Sequence, residues 1–332
     1  MNFNWKRKRY LILIILVLIL LFAINTVFFK SKDSNNFNKK VEDKSNIGYL
    51  PISSEIANVS TALLNESGKV EDDTIYYINS NEQFQKFINV GNFVDFKREY
   101  KILTFIDYEK EEFYVDDKLV NDFDFILDKQ EDIQIPVKLP KLDEGLHDVI
   151  FAIIKEPNDD LDDEYRCATE ETHTIYIRFN IVVENEEHDE INFTELTYNN
   201  TGAIPEIFLH EDEYELRQFP SATIKEGKFN FNMTIGNIYE DKVKECAVIL
   251  LKDWEVIPND INNSNILFLK INPKEKTTIP MSIDINEEGL HNINAILIED
   301  PYQKVKYGNN GVLNSIRIGV KYEWLEKYKN YI

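Results

Sequence analysis

Five histidines and one dense run of acids are the residues of this chain whose types and spacing could do chemistry. His147 and His291 each follow Gly-Leu, in "EGLHDVIFAIIKEP" (Glu144 to Pro157) and "EGLHNINAILIEDP" (Glu288 to Pro301). An imidazole can carry a proton near neutral pH or ligate a metal. Alternation along a strand turns each ring away from its neighbouring leucine, so a site shared by both requires the two segments to fold face to face. Otherwise each histidine is expected to hold a neighbouring loop. His173, His188 and His210 lie among acids in "EETHT", "NEEHDE" and "LHEDEYE", with no H-x-x-x-H or Cys/His spacing for zinc.

Calcium is the better ionic candidate. "PNDDLDDE" (Pro157 to Glu164) sets Asp159, Asp160, Asp162, Asp163 and Glu164 in a loop, and calcium takes hard oxygen ligands at such alternate positions. The loop lacks the D-x-D-x-D-G pattern and its counterpart is "PYQKVKYG", so a solvated acidic loop is the expected reading and calcium the alternative. G-x-S-x-G, P-loop, Rossmann and S-x-x-K patterns are absent, and no carboxylate pair of a glycosidase stands out. No catalytic residue is therefore named.

The elements that must position these groups form a repeat. "FDFILDKQEDIQIPVKLPKLDEGLH" (Phe123 to His147) falls on "LFLKINPKEKTTIPMSIDINEEGLH" (Leu267 to His291). Upstream, Val90-Gly91-Asn92 matches Ile235-Gly236-Asn237 and Tyr108 takes the place of Trp254; downstream, "IRFNIVV" (Ile177 to Val183) matches "IRIGVKY" (Ile316 to Tyr322). A unit of about 100 residues is a domain, not a solenoid blade. Its short segments are rich in β-branched and aromatic residues and separated by Asp, Asn, Gly or Pro, which predicts an antiparallel sandwich of roughly seven strands. Only "SEIANVSTALLNE" and the terminal "YEWLEKYKNYI" have a modest helical pattern; "IPEIFLHEDE" is the best strand candidate between the repeats.

A Gly-Asn turn, a strand ending near an aromatic-acidic pair, a strand carrying "IP" and then "EGLH" leading into a long apolar strand resemble bacterial immunoglobulin-like domains of the cell-adhesion-related (CARDB) and fibronectin type III-like sort. The E-x-x-E-x-N-N stretch of adhesion-related domains is replaced by "DDEYRCATEETHT" and "KVKYGNNGVLNS". Such domains act as spacers or binding modules in surface proteins, and the resemblance implies no reaction.

The N-terminus supplies an address. Lys6, Arg7, Lys8 and Arg9 precede an uncharged apolar run from Tyr10 to Phe29, about the 20 residues a helix needs to cross a bilayer, with the basic flank favouring the cytoplasmic side. A cleaved signal peptide is the alternative, with Ala23 as its small residue, but no A-x-A pattern follows. Met1 to Lys32 carries six basic residues and no acid, so the rest of the chain has a charge of -28 against -22 for the whole. A field of that sign repels nucleic acid. Cys167 and Cys246 stand at non-equivalent positions; export permits a bridge, but separate free thiols are the expected arrangement.

The expected organisation is a cytoplasmic tail (1–9), a transmembrane signal anchor (10–29), a flexible stalk (30–46), a first sandwich (47–184), an acidic linker (185–190), a second sandwich (191–325) and a C-terminal tail (326–332). The fold class is all-β: two tandem immunoglobulin-like sandwiches behind one helix. The expected role is a non-catalytic binding or spacer protein of the bacterial cell surface. Its partners are the cell membrane and an extracellular protein or cell-wall polymer, not nucleic acid. The alternatives are a cell-envelope enzyme or accessory with a site at the junction near Glu184 to His210, or an assembly subunit whose membrane helix makes lateral contacts, for which Asn25 is the one polar residue of note.

Overall fold

Strands follow where alternating apolar residues have a face to cover. The computed structural model describes residues 58–322 apart from 159, 161–173, 195, 197–198, 203, 205, 212–218, 225–226, 260 and 309. The segments expected as anchor and stalk lie outside the described residues. No described helix is long and apolar enough to cross a membrane. The first eleven strands are β1 (Asn58–Leu64), β2 (Ile75–Ile78), β3 (Gln85–Phe93), β4 (Arg98–Ile106), β5 (Glu109–Lys110), β6 (Phe113–Val115), β7 (Lys118–Val120), β8 (Phe123–Leu127), β9 (Glu131–Lys138), β10 (Gly145–Lys155) and β11 (Ile175–Val183). The rest are β12 (Asn199–Thr201), β13 (Ile207–His210), β14 (Ser221–Ile224), β15 (Lys228–Gly236), β16 (Lys244–Lys252), β17 (Glu255–Ile257), β18 (Ile266–Ile271), β19 (Glu275–Asp284), β20 (Gly289–Glu299), β21 (Val312–Asn314) and β22 (Ile318–Tyr322).

They form four sheets. Sheet I has the order β1-β3-β9-β6-β7, and sheet II the order β2-β11-β10-β4-β5 with β8 also on β4. Sheet III runs β14-β22-β20-β16-β17, with β18 on β16 and β21 on β20; sheet IV runs β12-β19-β15-β13. Pairing is antiparallel except where β2 lies parallel to β11 and β14 parallel to β22. Each domain closes its own apolar core: Ile88, Val90 and Ile135 of sheet I face Ile102, Val149 and Phe151 of sheet II. Met233, Ile279 and Met281 of sheet IV likewise face Val248, Leu250 and Leu297 of sheet III.

A third core was not foreseen. Leu103, Phe105, Ile150, Ala152 and Ile154 on the outer face of sheet II pack against Ala247, Ile249, Leu251, Ile296 and Ile298 on the outer face of sheet III. Strands β4, β10, β16 and β20 are thus covered on both sides, which explains why they read as nearly continuous apolar runs rather than clean alternations. Four sheets stack as layers I, II, III and IV, with the two domains face to face.

Two local expectations are corrected. "SEIANVSTALLNE" is not helical where described: Asn58–Leu64 is β1, paired along its length with β3, because an available sheet edge outweighs a weak helical preference. The Gly-Asn pair is not a turn either. Gly91 and Asn92 lie within β3 and Gly236 ends β15. A Cβ at Gly236 would meet the backbone of Ile204. The buried Asn92 donates through Nδ2 to the carbonyls of Phe96 and Asp128, and Asn237 donates to those of Lys242 and Ile271. The motif pins a loop to the sandwich in both copies.

Candidate functional site

The repeated histidines hold turns. Asp107 and Tyr108 have φ of 51° and 72°, and Asp253 and Trp254 have φ of 52° and 69°, so both hairpins between β4 and β5 and between β16 and β17 turn through two left-handed residues. His147 Nδ1 lies 2.6 Å from Asp107 Oδ2 and its Nε2 lies 2.9 Å from the Asp143 carbonyl. His291 repeats this with Asp253 at 2.7 Å and the Glu287 carbonyl at 2.8 Å. The other carboxylate oxygen of each aspartate accepts from the backbone N–H of the residue after its histidine, Asp148 or Asn292. The domains do face each other, yet both rings serve their own hairpin and form no shared site.

The glycine of "EGLH" is required by geometry. Gly145 has φ of 142° and Gly289 φ of 136°, a region closed to other residues without strain, and a Cβ on Gly145 would also strike the Glu187 carbonyl.

His147 makes stability depend on pH. Burial disfavours its charged ring, but the Asp107 hydrogen bond and charge outweigh this, and the pKa rises above the usual histidine value. A raised folded value contributes stability that is complete below the ordinary pKa of about 6.5 and is lost as pH climbs through the folded value. His147→Gln is therefore expected to melt below wild type at pH 6, with the gap narrowing as pH rises. A gap independent of pH would show that the ring acts without its charge.

Between the histidine hairpins lies a cross-domain exchange of arginines. Arg178 on β11 donates from Nε and Nη2 to the wholly buried Asp148 carboxylate, at 2.9 and 2.5 Å, and from Nη1 to the carbonyls of Glu299 and Asn310 in the other domain. Arg317, its equivalent before β22, donates from Nε to Asn292, which takes the place of Asp148, and from Nη1 to the Lys155 and Glu156 carbonyls. The partners match across the repeat: Lys155 and Glu156 are the equivalents of Glu299 and Asp300. Tyr108 Oη donates to Asp148 and accepts from the Tyr302 N–H, while the Trp254 indole N–H donates to the Pro157 carbonyl. Each domain thus offers the other the same face, as in a twofold dimer. Burial, then the Asp148 charge, pushes the Tyr108 pKa well up, so its proton stays to make the bond.

One groove of about 880 Å³ opens beside this interface, with Leu146, Arg178, Glu186 and His188 on one side and Tyr239, Lys242, Glu299, Tyr302 and Lys304 on the other. It holds the carboxylates and aromatic rings an active site at the junction would need. Each carboxylate is taken by a lysine: Lys304–Glu186 at 2.7 Å, Lys242–Asp300 at 2.8 Å, Lys244–Glu299 at 2.7 Å and Lys270–Glu245 at 2.7 Å. The Asp300 hydrogen bond raises the Lys242 pKa, and the Glu299 charge followed by burial raises that of Tyr239. Both shifts lead away from neutrality, where an efficient general acid or base would sit. His210 is not at the junction but buried in the second domain, 2.7 Å from Thr234 Oγ1.

Of the five candidate calcium ligands, Asp159, Asp162, Asp163 and Glu164 lie outside the described residues; Asp160 is exposed. No cluster of three metal-ligating side chains occurs among the described residues. Cys167 also lies outside them, and Cys246 is a free, buried thiol whose pKa burial pushes up to about 12. With so little thiolate at neutral pH, Cys246 in a Cys167→Ser chain is expected to resist alkylation until denaturant is added. Labelling of the folded chain would contradict the buried position.

No family model and no curated protein matches the chain. Solved structures similar to it include a red sea bream transglutaminase, at 9% identity and a TM-score of 0.25 over 81% of this chain and 32% of that one. They also include the CARDB domain of a Pyrococcus furiosus protein, solved in complex with di-metal ions, at 12% identity and a TM-score of 0.26 over 41% of this chain and 100% of that one. The chain spans about a third of the transglutaminase, and at these scores neither comparison bears on site or activity. The layered β architecture rests on the chain's own sheets and cores.

Proposed function

We propose that the chain is a non-catalytic, membrane-anchored protein of the bacterial cell surface that presents its two sandwiches outside the cell as one stiff binding or spacer module. The observation that supports it most is the third apolar core with its arginine exchange, which joins the two domains through packed apolar side chains and buried hydrogen bonds. The paired carboxylates of the groove favour the same reading over an envelope enzyme. The basic Lys6–Arg9 cluster and apolar Tyr10 to Phe29 run support the anchor and the orientation. The partner is an extracellular protein or cell-wall polymer, met through exposed edges and loops, and the carboxylate-rich run Asp159 to Glu164 could take calcium.

The segment from Asp33 onward, added to intact cells and recovered by a tag, is expected to retain a protein or a cell-wall polymer. Retention of neither sinks the binding reading. Turnover of envelope glycan or peptide by the purified chain, lost on Glu186→Gln or Asp300→Asn, would establish the enzyme instead. A melting temperature raised by calcium and lowered by chelator is expected if the Asp159 to Glu164 carboxylates hold the ion.

A further inference from the structure

We propose that the face joining the two sandwiches is a dimerisation surface closed within one chain, and that a second copy of this chain can occupy it by exchanging its second sandwich. This goes beyond the reading above and does not depend on it. Three features carry it. The interface is isologous in its bonding: Arg178 reaches the Glu299 carbonyl and Arg317 the equivalent Lys155 carbonyl, each with its Nε on position 148 or its equivalent 292. Each sandwich has a core of its own, so exchange breaks only the shared one.

The third feature is the hinge. Glu184, just after β11, is a non-glycine residue at φ 62°, and it begins an exposed run in which Glu186, Glu187, Asp189 and Glu190 follow at close spacing. Left-handed strain at Glu184 and repulsion among Glu187, Asp189 and Glu190 oppose the closed connection, against the Lys304–Glu186 pair at 2.7 Å, the Ser80 N–H bond to Glu184 and the Leu146 N–H bond to the Glu187 carbonyl, which hold it. A short strained hinge between self-complementary faces is the setting in which identical elements swap between copies. A short connection gives internal closure an effective concentration on the order of millimolar, so the closed monomer prevails in dilute solution and exchange gains ground at high local concentration.

The test removes hinge length from the full chain. Deleting Glu186 to Glu190 takes away roughly 17 Å of reach, enough to oppose internal closure while leaving both cores intact. Light scattering is expected to show twice the monomer mass, and adding Arg178→Glu with Arg317→Glu is expected to abolish the dimer. A folded monomer with a cooperative melt, or a dimer indifferent to the arginine changes, overturns the proposal. Should the shortened chain fail to fold, the unaltered chain decides. Tagged and untagged copies are unfolded together and refolded at about 1 mM; untagged chain is expected on the tag, and its absence overturns the proposal. These readouts are masses, independent of whether the module retains a cell-surface partner.

Discussion

Replacing Arg178 with alanine is expected to destabilise the protein by about 3–5 kcal/mol, the cost of breaking a buried ion pair from one side. Asp148 has no exposed surface, and without the guanidinium its carboxylate keeps only the Tyr108 hydroxyl and pairs with no cation. The Glu299 and Asn310 carbonyls lose their cross-domain donor at the same time. Because these bonds join the domains, calorimetry should also show one unfolding transition broadening or splitting into two. Arg178→Ala combined with Asp148→Ala should recover part of the loss, since the stranded carboxylate goes with its partner. Arg317→Ala should cost less: it leaves the neutral Asn292 amide at the equivalent position. Equal losses for the two arginines would show that the carboxylate is not what sets the cost.

Trp254→Ala is expected to cost a similar ~3–5 kcal/mol, by a different route, through loss of a large buried aromatic. The indole is 6% exposed within the shared core, lies under the Arg317 guanidinium at 5.2 Å and donates to the Pro157 carbonyl at 2.8 Å. Truncation opens a cavity between the sheets, removes the ring beneath a desolvated cation and leaves a carbonyl short of its donor. Trp254→Phe keeps most of the apolar volume and should recover more than half of the loss, the remainder being about 1–3 kcal/mol for the unmet carbonyl. Thermal and urea melts of the two variants check this. A phenylalanine variant as unstable as the alanine one would mean that hydrogen bonding, not packing, dominates at this position.

Much of the architecture was legible from local pattern. Aligning Glu144 to Pro157 with Glu288 to Pro301 foretold two equivalent strands, and β10 and β20 occupy equivalent positions. The structural role of His147 and His291 was also legible, because a histidine just inside a strand has a neighbouring hairpin to hold. Gly91 and Gly236 were misplaced as turn residues. A glycine inside a strand marks a close approach, and the neighbour that approaches Gly236, Ile204, is remote in sequence. The strand at Asn58–Leu64 escaped for a similar reason: its stability comes from pairing with β3, more than 20 residues later.

The amino-acid order alone determined the repeat, the β texture, the acidic balance and the strands whose sides are all apolar. Those are properties of short windows, where spacing and side-chain type already carry the physics. Only the tertiary structure decided what covers the second side of β4, β10, β16 and β20, because an apolar run states that both faces need burial without naming the surface that buries them. It likewise decided that Arg178 and Arg317, aligned in sequence merely as matching residues, reach across to each other's domain. Such a bond needs a donor and a carbonyl more than 100 positions apart to meet, and no local periodicity encodes that meeting.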